Sequence, residues 1–234
     1  MISNIPPNES YKFSENIYIT FELLGLTENS DRQQKLDEYA KLILKWNKTY
    51  NLTAFKEIKD IYIQHINDSL AIVKPIEDYL LSKNLNSAKI YDVGSGAGLP
   101  GIVLAIMCPY LKVTCIDAVG KKVAFIKYVA SVLNLNNLFA AHQRIELWQT
   151  EPVDLVISRA FSSMKNFVEW AGQHVTEGGH MVAMKARLSP EELGEFEQQH
   201  RWKISRIKKV IVPQLSAERC LVWINKKERH DITE

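Results

Sequence analysis

The sequence predicts an α/β fold of the nucleotide-binding type, with a sheet between two layers of helices. A β-prone segment, 89–93, leads into four glycines within eight residues, and an apolar run, 102–107, follows them. This order indicates strand, glycine turn and helix, which is the first βα turn of such a fold. Short apolar strands and amphipathic helices then alternate, as expected for a parallel sheet, and two consecutive β-rich segments close the chain.

The first 85 residues precede this alternation and are predicted to be mostly helical. Residues 1–11 are polar and hold two prolines, so we expect a loose arm. Three further segments have the apolar spacing or composition of helices. They are residues 13–26, 30–50 and 57–81. The polar segment 82–88 separates them from the sheet, so we divide the chain into an arm and helical region packed on the main domain, 1–85, and that main domain, 86–234.

The main domain has seven predicted strands and four predicted helices. The strands are 89–93, 112–116, 137–141, 152–158, 180–185, 204–212 and 220–225. The helices are 102–107, 121–133, 163–173 and one that starts at Ser189. Ser189 and Pro190 form a strong helix start, with a capping serine followed by proline in the first turn. We expect Gly178 and Gly179 to end the third of these helices, and the last two strands to pair antiparallel at the edge of the sheet.

Composition narrows the class of protein. Hydrophobic residues make up 46% and charged residues 24%, which is ordinary for a globular protein. A net charge of +2 is too small to indicate a nucleic-acid partner by itself. The three cysteines form no C-x-x-C pair, which favours reduced thiols in the cytoplasm. We also expect no metal, because the histidines lack metal-binding spacing, no membrane span, and a monomer.

The glycine turn predicts a cofactor site. Residues 96–101 fit G-x-G-x-x-G, which alone is a weak signal, since a tight turn without a ligand has the same composition. Gly96 and Gly98 would permit positive φ and close approach of a ligand to the backbone. The helix that follows offers free N–H groups at its N-terminus.

Two acids near the turn indicate which cofactor. Asp117 ends the next apolar run, where a carboxylate can accept both ribose hydroxyls of an adenosine ligand. This suits NAD and S-adenosylmethionine equally. Asp92 lies two residues before Gly94, where it would repel a pyrophosphate and favour an ammonium and a sulfonium. We therefore prefer S-adenosylmethionine to NAD.

A segment at the predicted end of the second helix combines basic and aromatic residues. Lys45 and Lys48 alternate here with Trp46 and Tyr50, a composition that suits phosphate contact and base stacking. The alternative is that the two aromatic residues are core anchors and Asn51 caps the next helix. This stretch alone slightly favours the alternative.

Taken together, the motifs resemble the RsmG (GidB) family, bacterial small-subunit rRNA guanine-N7 methyltransferases. The resemblance covers roughly residues 31–225. The motifs that carry it are DVGSGAGLPG at 92–101, KWN at 45–47, NLT at 51–53, His65 with Asp68 and Ser69, Asp117 with GKK at 120–122, RIE at 144–146, ISRAF at 157–161, Lys185, and Glu218 with Arg219. One departure is the segment 185–187, where many relatives carry a glycine after the lysine.

The resemblance implies a Rossmann-like class I S-adenosylmethionine-dependent methyltransferase fold. Its sheet would have seven mostly parallel strands with helices on both faces and a helical N-terminal extension. The implied reaction is methyl transfer from S-adenosylmethionine to N7 of guanine 527 in the 530 loop of 16S rRNA, so the partner would be 16S rRNA or the small ribosomal subunit. With the turn residues already named, the predicted cofactor contacts are Asp92, Gly94, Gly96, Gly98, Leu99, Asp117, Ile145, Glu146 and Arg159.

The candidates for RNA contact are Lys45, Lys48, Arg159 and Lys185. Arg159 follows the fourth strand, so it could hold either RNA phosphate or the carboxylate of the cofactor, or form a salt bridge to a neighbouring acid. Lys185 ends the fifth strand at the same edge. It could contact rRNA phosphate, and the pattern fits equally well a strand end that is simply exposed to solvent. We nominate no catalytic acid or base, because guanine N7 carries a lone pair and no proton. An NAD(P)-dependent oxidoreductase and an RNA-binding module without catalysis remain the alternatives.

Overall fold

The computed structural model describes residues 13–159, 161 and 163–227. Within this part of the chain lies one seven-stranded sheet. Its strands are β1 (Ala88–Val93), β2 (Leu111–Asp117), β3 (Leu138–His142), β4 (Val153–Ser158), β5 (Val175–Lys185), β6 (Trp202–Val210) and β7 (Arg219–Lys226). All seven predicted strands are present, although β5 begins at Val175 and not at residue 180. The predicted arm, 1–11, lies outside the described residues.

The sheet has the order β3-β2-β1-β4-β5-β7-β6, and only β7 among these strands runs against its neighbours. β1 pairs in parallel with β2 on one side and with β4 on the other. The strands β2 and β3 therefore extend the sheet in one direction from β1, and the strands from β4 onwards extend it in the other. Ligands of such sheets bind beyond the carboxyl ends of the strands on either side of that point. The fold implied by the resemblance is therefore confirmed, and its antiparallel pair lies at the edge where the sequence placed it.

Helices cover both faces of the sheet. They are α1 (Phe13–Leu24), α2 (Ser30–Tyr50), α3 (Ile58–Ile61), α4 (Asp68–Leu70), α5 (Val73–Ser82), α6 (Gly101–Met107), α7 (Gly120–Val132), α8 (Met164–Ala171) and α9 (Pro190–Glu197). A π-helical segment, Tyr62–Asn67, joins α3 to α4, and α5 follows after two residues, so the predicted helical segment 57–81 forms two helical stretches. Ser189 caps α9 by accepting a hydrogen bond from the Glu192 N–H, as predicted. Among the described helices, none combines the length and apolar character that crossing a membrane requires.

Two local predictions are wrong. Gly178 and Gly179 lie inside β5 and do not end a helix, because α8 ends at Ala171 and a 3-10 turn follows it. A side chain at Gly179 would lie 2.7 Å from the carbonyl oxygen of Asp154, so glycine permits close approach of the neighbouring strand here. Asn51 ends α2 in the left-handed conformation (φ 50°) and does not cap the next helix.

The helical region shares its core with one face of the sheet. Tyr39 is fully buried, and its hydroxyl donates to the carbonyl of Ala97 in the glycine turn at 2.8 Å. Trp46 packs against Phe125 of α7, with ring centroids 5.3 Å apart, and against Tyr128 at 5.2 Å. Trp46 is thus a core anchor, as the structural alternative proposed, whereas Tyr50, which that alternative also placed in the core, is exposed. This packing fixes the helices beside the carboxyl ends of the strands.

Candidate cofactor and RNA site

The glycine turn has the backbone that its sequence predicts. Gly94, Gly96 and Gly98 adopt φ values of 68°, 60° and 90°, which L side chains rarely adopt. A Cβ atom on Gly98 would lie 2.4 Å from the Ile102 side chain, so this glycine also allows close packing of the turn on α6. The Gly94 N–H donates to the carbonyl of Ile116 at 2.8 Å and ties the turn to the end of β2.

Asp92 lies beneath the turn and is completely buried. Its Oδ2 accepts a hydrogen bond from the Gly101 N–H at 2.8 Å, which fixes the start of α6. Its Oδ1 has no hydrogen-bond partner among the described residues. Burial raises the pKa of Asp92 to about 7, although the Gly101 N–H favours the charged form. A cation bound over the turn would favour that charged form further.

Asp117 shapes the other side of the turn. Its Oδ2 accepts from the Gly96 N–H and its Oδ1 from the Val119 N–H, both at 2.8 Å. The Lys122 ammonium lies 3.9 Å from Oδ2. A carboxylate can accept about four hydrogen bonds, so Asp117 retains acceptor capacity for ribose hydroxyls after these contacts.

The larger cavity of the site runs along the carboxyl ends of β1, β2 and β3 and has a volume of about 370 Å³. Its lining residues include Gly94, Ile116, Asp117, Lys122, Ile145, Glu146, Phe161 and Trp170. Its apolar and aromatic walls with two carboxylates, Asp117 and Glu146, suit a nucleoside, whose flat base is buried and whose polar groups are bound. We call it the adenosine cavity.

A smaller cavity of about 220 Å³ lies on the other side of Gly94, which lines both. We call it the transfer cavity. Its lining residues are Leu52, Thr53, His65, Gly94, Ser95, Gly96, Ala97, Leu99 and Arg159. The helical region contributes three of these residues, so the transfer cavity is formed only where that region meets the sheet.

Arg159 is held in the transfer cavity by groups of the helical region. Its Nη1 lies 3.2 Å from Oδ2 of Asp68 and 3.4 Å from the carbonyl oxygen of Gln64. The other oxygen of Asp68 accepts from Nε of Arg219 at 2.8 Å. One buried carboxylate therefore holds two arginines. The predicted salt bridge to a neighbouring acid exists, and it does not remove Arg159 from the cavity.

His65 is uncharged at neutral pH. Its Nε2 lies 2.6 Å from the Thr53 hydroxyl and its Nδ1 3.0 Å from the Gln64 carbonyl oxygen. Burial and the neighbouring Arg159 charge lower the pKa of His65 to about 4. Because both ring nitrogens have partners and the ring stays neutral, the cationic group of the transfer cavity is Arg159.

The structure gathers most of the predicted cofactor residues around the two cavities. Gly94, Asp117, Ile145 and Glu146 line the adenosine cavity, and Gly94, Gly96, Leu99 and Arg159 line the transfer cavity. Asp92 and Gly98 line neither cavity and support the turn from below.

The predicted RNA contacts are more scattered. Lys45 and Lys48 are exposed on α2, and Lys48 lines a groove of about 670 Å³ that shares Thr53 with the transfer cavity. Lys56, which sequence reasoning missed, lines the same groove. Lys185 ends β5, but its ammonium lies 2.8 Å from the Glu192 carboxylate, and its side chain is only 12% exposed. An RNA phosphate would have to compete with this ion pair.

Four further residues were missed as site residues. They are Thr53, His65, Asp68 and Arg219. Each belongs to a motif that carries the resemblance, but none was assigned to the site from the residue pattern. Their proximity depends on contacts between residues up to 151 positions apart, which no local pattern records.

Comparison with known proteins places this geometry among methyltransferases. The GidB family, described as rRNA small subunit methyltransferase G, matches residues 32–222. The ribosomal RNA small subunit methyltransferase G of Bordetella pertussis is 45% identical over 208 residues, covering 88% of this chain and 90% of that protein.

Two solved structures share the fold. Ribosomal protein L11 methylase from Lactobacillus delbrueckii subsp. bulgaricus has a TM-score of 0.53 at 13% identity, covering 69% of this chain and 79% of that one. An S-adenosylmethionine-dependent methyltransferase from Aquifex aeolicus has a TM-score of 0.50 at 19% identity, covering 67% and 92%.

Proposed function

Because the chain belongs to the rRNA small subunit methyltransferase G family, we propose that it methylates N7 of guanine 527 in the 530 loop of 16S rRNA with S-adenosylmethionine. The observation that carries the choice of cofactor is the pair of cavities that meet at Gly94. Asp117 stands at one and Arg159 at the other. S-adenosylmethionine has the complementary groups, with ribose hydroxyls and adenine at one end and an α-carboxylate at the other.

The residues present fit this cofactor and support one direction of binding. The adenosine cavity would take the nucleoside, with Asp117 accepting from the ribose and Glu146 near the adenine. Gly94 lines both cavities and Gly96 the transfer cavity, so no side chain would obstruct a cofactor that spans the two. When bound, the cofactor supplies an electrophilic methyl group on a sulfonium, and that group would face the transfer cavity.

Methyl transfer to N7 requires the protein to orient the two reactants and does not require it to transfer a proton. Guanine N7 attacks through a lone pair and loses no proton, so no general base is required. His65 is consistent with this, since its pKa of about 4 makes the ring a weak proton acceptor and its Nε2 already contacts the Thr53 hydroxyl. Holding N7 in line with the methyl group can supply on the order of 7–11 kcal/mol of the barrier reduction.

The rRNA would approach from the side of the helical region. Lys48 and Lys56 line the groove that adjoins the transfer cavity at Thr53, and Lys45 is exposed on the same helix as Lys48. Such lysines position a phosphate backbone without reading its sequence. Lys185 remains a predicted contact that requires release from Glu192. The proposal also includes action as a monomer in the cytoplasm.

The test is methyl transfer by the purified protein. Labelled S-adenosylmethionine is incubated with small ribosomal subunits, or with naked 16S rRNA, from cells lacking the methylation, and N7 is mapped by chemical cleavage. Calorimetric titration with S-adenosylmethionine and with NADH runs in parallel. Binding of NADH alone would favour the oxidoreductase, and RNA binding without transfer would favour the non-catalytic module.

A further inference from the structure

We propose, on the basis of the function proposed above, that Asp68 is a positioning residue that sets the Arg159 guanidinium in the transfer cavity to receive an anionic oxygen group. That group is either the α-carboxylate of the cofactor or an rRNA phosphate. Both are planar or tetrahedral oxyanions that suit a guanidinium fork.

The location of Asp68 makes it a junction of three parts of the chain. It begins α4 in the helical region, whereas Arg159 directly follows β4 and Arg219 is the first residue of β7. Each of its carboxylate oxygens contacts a different arginine, at 3.2 Å and 2.8 Å. Asp68 thus couples the helical region to the edge of the sheet where the cavities lie.

The different burial of Asp68 and Arg159 leaves part of the Arg159 guanidinium facing the transfer cavity. The side chain of Asp68 is only 3% exposed, and a carboxylate in such surroundings is stable when charged partners occupy it. Arg159 is 27% exposed and lines the transfer cavity, so one part of its guanidinium faces Asp68 and another faces the cavity. Five N–H donors in a rigid plane allow both contacts at once.

The net charge of the cluster gives a role to its second arginine, Arg219. Asp68 with Arg159 alone would form a neutral pair and weaken the attraction for an oxyanion. Arg219 adds a positive charge, so the three side chains carry a net charge of +1, and the neutral His65 does not change it. The cluster therefore keeps a cationic face towards the cavity while its only carboxylate is paired.

The experiment is a double-mutant cycle with Asp68→Asn and Arg159→Met, in which binding is measured and not only activity. S-adenosylmethionine affinity is measured by calorimetry, and affinity for a 16S rRNA fragment spanning the 530 loop by filter binding. Asp37→Asn is the matched control, because Asp37 also ties the helical region together, through Tyr62 and Lys41, without contacting Arg159. Thermal unfolding of every variant reports the structural cost separately.

We expect Asp68→Asn to weaken the same ligand that Arg159→Met weakens, by about 10- to 100-fold, as misplacement of a binding group does. It should leave the other ligand within about threefold, and in the Arg159→Met background it should add almost nothing, because interacting residues are not additive. Loss of S-adenosylmethionine affinity identifies the cofactor carboxylate, and loss of rRNA affinity identifies a phosphate.

Equal losses in both backgrounds would overturn the positioning role, as would unchanged or tighter binding of both ligands or a loss matched by Asp37→Asn. A wild-type protein that transfers no methyl group would instead refute the proposed function. The two failures are therefore distinguishable.

Discussion

Replacing Asp117 tests the cofactor geometry most sharply, because this carboxylate is predicted to bind the ribose while it already holds the turn. Asp117→Ala removes the acceptor of the Gly96 and Val119 N–H groups, each 2.8 Å away, and the expected acceptor of two ribose hydroxyls. Asp117→Asn keeps one acceptor oxygen but places an NH₂ group against one of the two N–H donors.

The magnitude follows from the bonds lost. Hydrogen bonds to a charged group contribute about 1.5–3 kcal/mol each, so two ribose bonds amount to roughly 3–6 kcal/mol. This corresponds to about 10²- to 10⁴-fold weaker cofactor binding, since each 1.4 kcal/mol is tenfold. Loss of stability should be smaller, because Val119 is exposed and its N–H can bond to water instead.

The assay is calorimetric titration with S-adenosylmethionine beside thermal unfolding without it. Asp154→Ala is the matched control, since Asp154 also accepts a backbone N–H, that of Lys89, at 2.8 Å and at the opposite end of the sheet. The control should bind normally. A folded Asp117→Ala protein with unchanged cofactor affinity, or with rRNA binding lost and cofactor binding intact, would refute the assigned role.

Three further predictions test the turn, the RNA path and the buried histidine. Gly98→Val should abolish S-adenosylmethionine binding, because a Cβ at φ 90° would lie 2.4 Å from Ile102; a folded variant that binds normally contradicts the placement of the site. Replacing Lys45 and Lys48 by alanine should weaken rRNA binding for all sequences and lower the salt slope by about one unit per lost contact, with cofactor affinity unchanged. An unchanged slope would make these lysines ordinary surface residues. Because folding lowers the pKa of His65 from 6.5 to about 4, its neutral form stabilises the protein above pH 6.5, and that stability is lost as the pH falls towards 4. His65→Gln should therefore lose less thermal stability than the wild type between pH 7.5 and pH 5, and equal losses would contradict a buried neutral histidine.

The sequence could predict the sheet and the turn because both depend on local chemistry. Asp92, the glycines and Asp117 lie at strand ends that apolar runs define, so their places at one edge of the sheet follow from parallel topology. Arg159 was located by the same reasoning. The extent of β5 was not, because Gly178 and Gly179 suggest a break unless the closeness of Asp154 is known.

The transfer cavity could not be predicted in this way. Asp68 and Arg219 are 151 positions apart, and their contact arises only when the helical region docks on the sheet. For Lys185, the position at the end of a strand was predicted correctly, but its ion pair with Glu192 was not, because that pair depends on where α9 lies. Long-range ion pairs depend on tertiary packing, which spacing along the chain does not describe.

The most direct test is to map N7 methylation across 16S rRNA from cells with and without this protein, and with the Gly98→Val variant in its place. Cells with the wild-type protein should carry N7-methylguanine at position 527, and cells without it, or with the variant, should not. Methylation that persists at this position in cells lacking the protein would contradict the proposed reaction.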